Sequence, residues 1–361
     1  MNEQVFFYVG SYTNMSWSRG EKGKGLYHAV LDQKTGTLTC SAVTEGLINP
    51  SYAVFSSDSS HLYVVNEVQP VDEKAVGKVS SFAVDKKSGS LTLLGTTSSF
   101  GLSPCYITLD KTGRYAFLTN FRDSVVSLAM NEKDALEELV QIVAHPGVST
   151  EPGGPEEIRP HSVIFDREYR HVIVPDLRID KVMVYRVDYK DGKPLMVSAG
   201  SASVKTGAGP RHATFNKSGN ILYLICEKGA RLYVFDYDAN TGALAHKQDL
   251  STLPEGTDVK NMCADLHLSP DGRFLYGSNR GHDSIVIYKV DPDTGKLSYI
   301  SNQSTYGNTP RNFSLDPSGR WLIAANQDSN SLVSFAIDPD TGLLEKKYEL
   351  EIPAPVLVKF L

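Results

Sequence analysis

A chain of 361 residues, 41% hydrophobic and 22% charged, has ample apolar material for a globular core. Its net charge of −6 argues against a nucleic-acid or anionic-membrane partner. No apolar run approaches the roughly 18 residues of a membrane helix, and the first residues lack the basic region of a secretion signal, so a cytoplasmic location is expected.

The chain opens on a strand-like run, Val5-Phe6-Phe7-Tyr8-Val9, followed by a long connection over residues 12–25. Asp32 and Gly36 then make a DxxxG turn, and Leu38 opens another strand. From Pro50 onward a four-strand pattern recurs. Its first strand ends on an apolar anchor, successively Phe55, Leu109, Phe165, Phe215, Leu268, Leu315 and Phe360, a spacing of about fifty residues. That period is blade-sized, longer than the thirty-odd residues of helical repeats. Five residues before the anchor stands Pro50, Pro104, Pro160, Pro210, Pro310 or Pro355, with Cys263 the exception. Proline suits the first position of a strand, where its missing N–H breaks no ladder bond.

After the anchor come tight-turn sequences such as Lys111-Thr112-Gly113 and Pro270-Asp271-Gly272. A second strand follows, as in Leu62-Tyr63-Val64-Val65, then a third, as in Ser284-Ile285-Val286-Ile287-Tyr288. The DxxxG turn returns at Asp85/Gly89, Asp188/Gly192, Asp238/Gly242, Asp291/Gly295 and Asp338/Gly342, and a leucine such as Leu91 or Leu297 opens the fourth strand. The unit holding Asn131 and Asp134 lacks the glycine, and residues 131–142 are read as strand and loop despite a possible helical turn. At the end, Pro355-Val356-Leu357-Val358-Lys359-Phe360 repeats the first strand and then stops, so the N-terminal run supplies its partner. The expected architecture is therefore all-β: one domain over residues 1–361, a seven-bladed β-propeller of four-stranded antiparallel blades closed by both termini.

The repeat also locates a site. In each hairpin the residue four before the anchor is expected opposite those eleven and twelve after it, on the rim away from the tight turns. The first position holds Ser51, Cys105, His161, Arg211, Ala264, Arg311 and Val356. The second holds Asn66-Glu67, Asn120-Phe121, Asp176-Leu177, Cys226-Glu227, Asn279-Arg280 and Asn326-Gln327. His161, Arg211, Glu227, Arg280 and Arg311 thus converge on one mouth of the central channel. The long connections 12–25, 66–77, 145–159 and 251–262 gather on the same rim, the usual seat of binding. Buried unpaired positive charge is costly, so this set is read as an anion site. The plainer reading of an inward arginine is that it bonds carbonyls of neighbouring blades. Glu227 is read either as the counter-ion of Arg211 or as a catalytic group. His212, Asp265, His267 and His282 have weaker claims, and His267 reads as structural.

Cys40, Cys105, Cys226 and Cys263 lack CxxC spacing and read as reduced thiols. The turn Asp291-Pro292-Asp293-Thr294-Gly295 lacks the later glutamate of a calcium loop. There is no HExxH, GxSxG or P-loop motif, so no metal and no cofactor is expected. Trp-Asp dipeptides are absent, with Trp17 and Trp321 elsewhere, which disfavours a WD-repeat scaffold.

The segments Gly209-Pro210-Arg211-His212, Pro160-His161-Ser162, Asn279-Arg280, Pro310-Arg311-Asn312-Phe313 and the run from Ala264 to Arg273, with Asn326-Gln327, resemble the lactonase family of seven-bladed propellers. That family contains propeller-type 6-phosphogluconolactonases and fungal carboxymuconate lactonizing enzymes. The resemblance spans essentially the whole chain and departs from the family at an insertion over residues 147–158. It implies hydrolysis of a small anionic sugar lactone, 6-phosphoglucono-1,5-lactone, with His161, Arg211, Glu227 and Arg280 in the active site. His161 or Glu227 would be the general base, while Arg211, Arg280 and Arg311 divide oxyanion stabilisation and phosphate binding. Arg311, His212, Asn279, Asn326, Gln327 and Asp265 are expected substrate contacts. Two other functions fit the same residues: a carboxymuconate cycloisomerase, and a non-catalytic binding platform. Nothing in the repeat sets an oligomeric state.

Overall fold

The computed structural model describes residues 4–15, 18–68, 76–145, 150 and 158–361. Trp17, most of the 66–77 connection and nearly all of the 147–158 insertion lie outside the described residues.

Seven four-stranded antiparallel sheets account for the fold, and in each the strands lie side by side in repeat order. Counting from Pro50, the first blade is Pro50–Phe55, His61–Asn66, Lys78–Val84 and Leu91–Ser98. The fourth is Pro210–Phe215, Ile221–Cys226, Arg231–Asp238 and Ala243–Ser251. The seventh joins the two ends of the chain: Pro355–Phe360 pairs with Gln4–Ser11, with Phe7 opposite Phe360 and Val9 opposite Val358. Pairing the two ends in this way completes the last blade to four strands, so neither terminal strand is left without a partner. Residues 131–142 form a turn and a strand, Leu136–Val143. Among the described residues, the single helical element is one 3-10 turn, Gln327–Ser329, and no helix is long and apolar enough to cross a membrane.

The DxxxG turns explain how blades lock together. Apart from Asp188, which pairs with Arg186, each aspartate accepts a backbone N–H ahead of it, as Asp32 does from Lys34 at 2.8 Å and Thr35 at 3.1 Å. The glycine then takes a positive φ, for example 77° at Gly242, and its carbonyl is turned to the neighbouring blade. Buried hydroxyls meet these carbonyls: Tyr8 at Gly89 (2.7 Å), Tyr223 at Gly295 (2.9 Å) and Tyr276 at Gly342 (3.0 Å). In the blade without the glycine, Asp134 itself adopts φ 58°, and its carbonyl accepts from Tyr63 at 3.0 Å. The tie survives because aspartate tolerates the left-handed region better than most residues.

The core lies between blades. Phe7, Val9, Trp321, Ile323, Leu332, Val358 and Phe360 form one such cluster across the closing seam. Phe7 is fully buried there. Phe7→Ala is expected to cost roughly 3–5 kcal/mol, the usual price of emptying a buried aromatic site, and to lower the denaturant midpoint accordingly. A change below about 1 kcal/mol would mean that the closing strand is not part of the cooperative unit.

Candidate functional site

One departure from the expected register builds the site. The residue four before the anchor does not face the second strand; the proline before it does, with Pro210 opposite Cys226 and Pro50 opposite Asn66. Pairing then resumes at His212 with Ile225 and Tyr52 with Val65, so Arg211 and Ser51 are extra residues in the ladder. The same bulge falls on Cys105, Arg311 and Val356. A bulge re-aims its side chain away from the sheet face, and here it directs the repeat's most variable position into the channel.

Around this inner set lies a second, from the residue twelve after each anchor. Its backbone N–H is fixed to the start of the hairpin: Tyr12 to Ala354 (3.0 Å), Glu67 to Asn49 (3.0 Å), Phe121 to Ser103 (2.9 Å) and Glu227 to Gly209 (2.6 Å). Ser51, Glu67, Cys105, His161, Arg211, His212, Arg311 and Asn312 line one common cavity. Its floor is an aromatic plug. Tyr52 and Tyr106 stack at 4.0 Å, and the His212 ring meets them edge-on at 6.2 and 5.3 Å. Tyr52 and Tyr106 come from the adjacent first and second blades, and His212 reaches them from the fourth, across the channel axis.

Glu227 is a clamp for two guanidiniums. Its Oε2 accepts from Arg211 Nε at 3.2 Å and from Arg280 Nη2 at 2.9 Å. Burial pushes this carboxyl up, but Arg280, Arg211 and Arg311 outweigh it and hold Glu227 below the usual carboxylate range. A carboxylate held as an ion between two guanidiniums suits the counter-ion reading of Glu227. Arg280 also donates from Nε to the Met262 carbonyl (3.2 Å) and from Nη2 to the Cys263 carbonyl (3.1 Å). Arg211 reaches inward, donating to the Ala264 carbonyl and to His212 Nε2 at 3.2 Å. Burial, Arg280 and Arg311 pull Arg211 down to about 10, still a cation at neutral pH but one crowded by like charge.

Two imidazoles face these cations. His161 packs edge-on against Phe121 at 5.3 Å and His212 at 5.2 Å. Burial, then Arg211, His212 and Arg311, depress it well below the ordinary histidine value, so at neutral pH it is the uncharged imidazole. His212 is pinned: Nδ1 donates to Asp265 Oδ1 at 2.8 Å, which leaves Nε2 as the acceptor turned to Arg211. Burial and Arg211 bring His212 down to about 4 despite the carboxylate. Asp265 also accepts from His267 Nε2 (3.0 Å) and Asn312 Nδ2 (2.5 Å), so its role is to orient neighbours rather than to meet a ligand. Arg311 lies over the Tyr12 ring at 5.5 Å, with Nη2 3.9 Å from Glu67 Oε2.

Three expected substrate contacts lie elsewhere. Asn279 is fully buried and bonded to Thr252 and Asn261, its Nδ2 to the Thr252 carbonyl at 3.0 Å and its Oδ1 to Asn261 Nδ2 at 2.9 Å. Asn326 donates to the Thr305 carbonyl at 3.0 Å and to Ser331 Oγ at 3.3 Å. Asn120 does the same with Ser99 and Ser124. This asparagine is a tie of the repeat, holding the second strand to the preceding connection, which its recurrence at a fixed place already signalled. Gln327 turns to Asp328 at 2.8 Å. His267 supports Asp265, and His282 bonds Ser284 at 2.7 Å. Two residues were passed over: Glu67, which lines the cavity at the same repeat position as Glu227, and Tyr12, its counterpart after the terminal strand, which donates to Glu67. The equivalence of position was the available signal. Among the described residues no three His, Cys, Asp or Glu side chains are grouped to hold a metal ion.

Comparison with known proteins bears on this arrangement. The sequence profile of the family described as "Lactonase, 7-bladed beta-propeller" matches residues 6–360. A 6-phosphogluconolactonase of Bacillus subtilis (strain 168) is 32% identical over 313 residues, 85% of this chain and 83% of the relative. A second 6-phosphogluconolactonase, from Formosa agariphila, is 32% identical over 85% of both chains. Among solved structures, the periplasmic gluconolactonase of Pseudomonas aeruginosa superposes with a TM-score of 0.90 at 31% identity, covering 99% of each chain.

Proposed function

The chain belongs to the lactonase family of seven-bladed β-propellers, and from that premise we propose that it is a lactone hydrolase acting on an aldono-1,5-lactone, with 6-phosphoglucono-1,5-lactone as its substrate. The observation that carries the reading is that Arg211, Arg311 and His161 line one narrow cavity, while Arg280 shares with Arg211 the Glu227 carboxylate outside its lining. Desolvated like charges are relieved by an anionic ligand. A lactone carbonyl needs a base to take a proton from water and cations to hold the oxyanion that develops. His161 is the base. Arg211 and Arg311, both lining the cavity, face the oxyanion and the substrate's anionic group, while Glu227 and Arg280 hold Arg211 in place from behind.

Relatives named for a phosphorylated and for an unphosphorylated lactone make phosphate the point to test. Purified protein is given 6-phosphoglucono-1,5-lactone, glucono-1,5-lactone and a carboxymuconate side by side; lactone hydrolysis is followed as proton release above the spontaneous rate, and muconate cyclisation as loss of the diene absorbance. The phosphorylated lactone is expected to show the highest kcat/KM. Equal turnover of both lactones would remove the phosphate from the assignment; turnover of the muconate alone would replace hydrolysis by cycloisomerisation.

A further inference from the structure

We infer that Glu67 is a second catalytic residue, the proton donor to the ring oxygen that leaves C1; the inference rests on the hydrolase reading above. Glu67 and Glu227 occupy the same place in the repeat, one blade hairpin each, yet their surroundings are opposite. Glu227 stands behind Arg211 and shares one oxygen between two guanidiniums, at 3.2 and 2.9 Å. Glu67 opens into the cavity that holds His161, Arg211 and Arg311, with its side chain only 5% exposed. Its Oε2 accepts a hydrogen bond from Tyr12 at 2.9 Å, and the Arg311 guanidinium lies at 3.9 Å, beyond hydrogen-bond reach. Arg211 acts on it from farther off, and the Cys105 thiol is its other titratable neighbour. Burial therefore outweighs the cations at Glu67 and raises its carboxyl above the ordinary value, the reverse of Glu227. Two carboxyls driven apart in this way mark one as a fixed ion and the other as a group that can carry a proton.

The balance of the reaction has a place for that proton. Water adds its oxygen to C1 while His161 takes one of its protons, and the carbonyl electrons move to the oxyanion. When the intermediate collapses, the C1–ring oxygen bond breaks and its electron pair accepts the proton from Glu67, giving the free hydroxyl. The new carboxylic acid releases its own proton to solvent. Return of the proton from imidazolium to the Glu67 carboxylate restores the site. Without a donor, the ring oxygen must leave as an alkoxide, a poor leaving group.

The test measures kcat against pH on the aldono-1,5-lactone for the native protein, Glu67→Gln and Tyr12→Phe. A protonated donor makes native kcat fall as pH rises through the Glu67 ionisation. Glu67→Gln is expected to lose about 100-fold or more in kcat, keep KM within about threefold and lack that alkaline limb. Tyr12→Phe removes a hydrogen bond that favours the carboxylate, so the limb moves to higher pH. Native-like kcat in Glu67→Gln, or an alkaline limb that persists in it, overturns the inference. Should Glu67→Gln not fold, the Tyr12→Phe limb decides, and a limb that stays put counts against Glu67. A native protein with no lactone turnover would sink the hydrolase reading and this inference with it, whereas active protein with unaffected variants would sink the inference alone.

Discussion

Replacing Arg211 by methionine should lower kcat/KM on the lactone by about 10²–10³-fold, the usual loss when one oxyanion-stabilising donor is removed. Arg211 lines the cavity and is held there by Glu227 at 3.2 Å and the Ala264 carbonyl. Methionine keeps most of the volume, so the loss isolates charge and hydrogen bonding from packing. Arg280 still holds Glu227 at 2.9 Å in the variant, so the carboxylate is not left without a cation, and the stability cost comes from the lost bonds to Glu227, the Ala264 carbonyl and His212. Arg211→Lys should recover part of the rate, since it restores the charge without the planar fork. Steady-state kinetics beside a denaturant melt would check all three; a methionine variant within a few-fold of native kcat/KM would place the oxyanion elsewhere.

His161→Gln is expected to cost about 10²–10⁴-fold in kcat, the range of positioned general bases, and to change the pH dependence in a specified direction. The imidazole works unprotonated, and burial with Arg211 nearby depresses its ionisation well below 6.5. The acid-side loss of native kcat/KM should therefore begin only below pH 6.5; the glutamine variant should lack that acid limb. An acid limb at or above pH 6.5 would show that a different group is the base. Stability carries the same sign. His161 and His212 bind fewer protons folded than unfolded once pH drops below about 6.5, because both are depressed in the folded protein, His212 to about 4. Stability is thus lost as pH falls through that window, and His161→Gln should remove its share of the slope.

Both predictions use residues that the repeat had already singled out, but their roles came from contacts the repeat does not contain. Proline spacing, tight turns and the terminal half-pattern were enough to count blades and to close the last one, since each is a local backbone requirement written where it acts. The same register identified the two positions that surround the channel mouth. It erred where it treated all residues at one position alike. Asn279 and Asn326 looked like site residues and are ties between strand and connection. Glu67 stood in the same register as Glu227 and was passed over. Position in a repeat fixes where a backbone goes; it does not say which neighbour a side chain will find.

The amino-acid sequence alone determined the architecture and the set of residues near the rim, because strand pairing and turns depend on near neighbours that recur in every unit. Only the tertiary structure decided the division of labour. The bulge that aims Arg211 inward is a mismatch between two strands, the plug of Tyr52, Tyr106 and His212 is a meeting of three blades, and the contrast between Glu227 and Glu67 depends on arginines from other blades. Charge and burial act through space, and only the closed fold sets which charges share it.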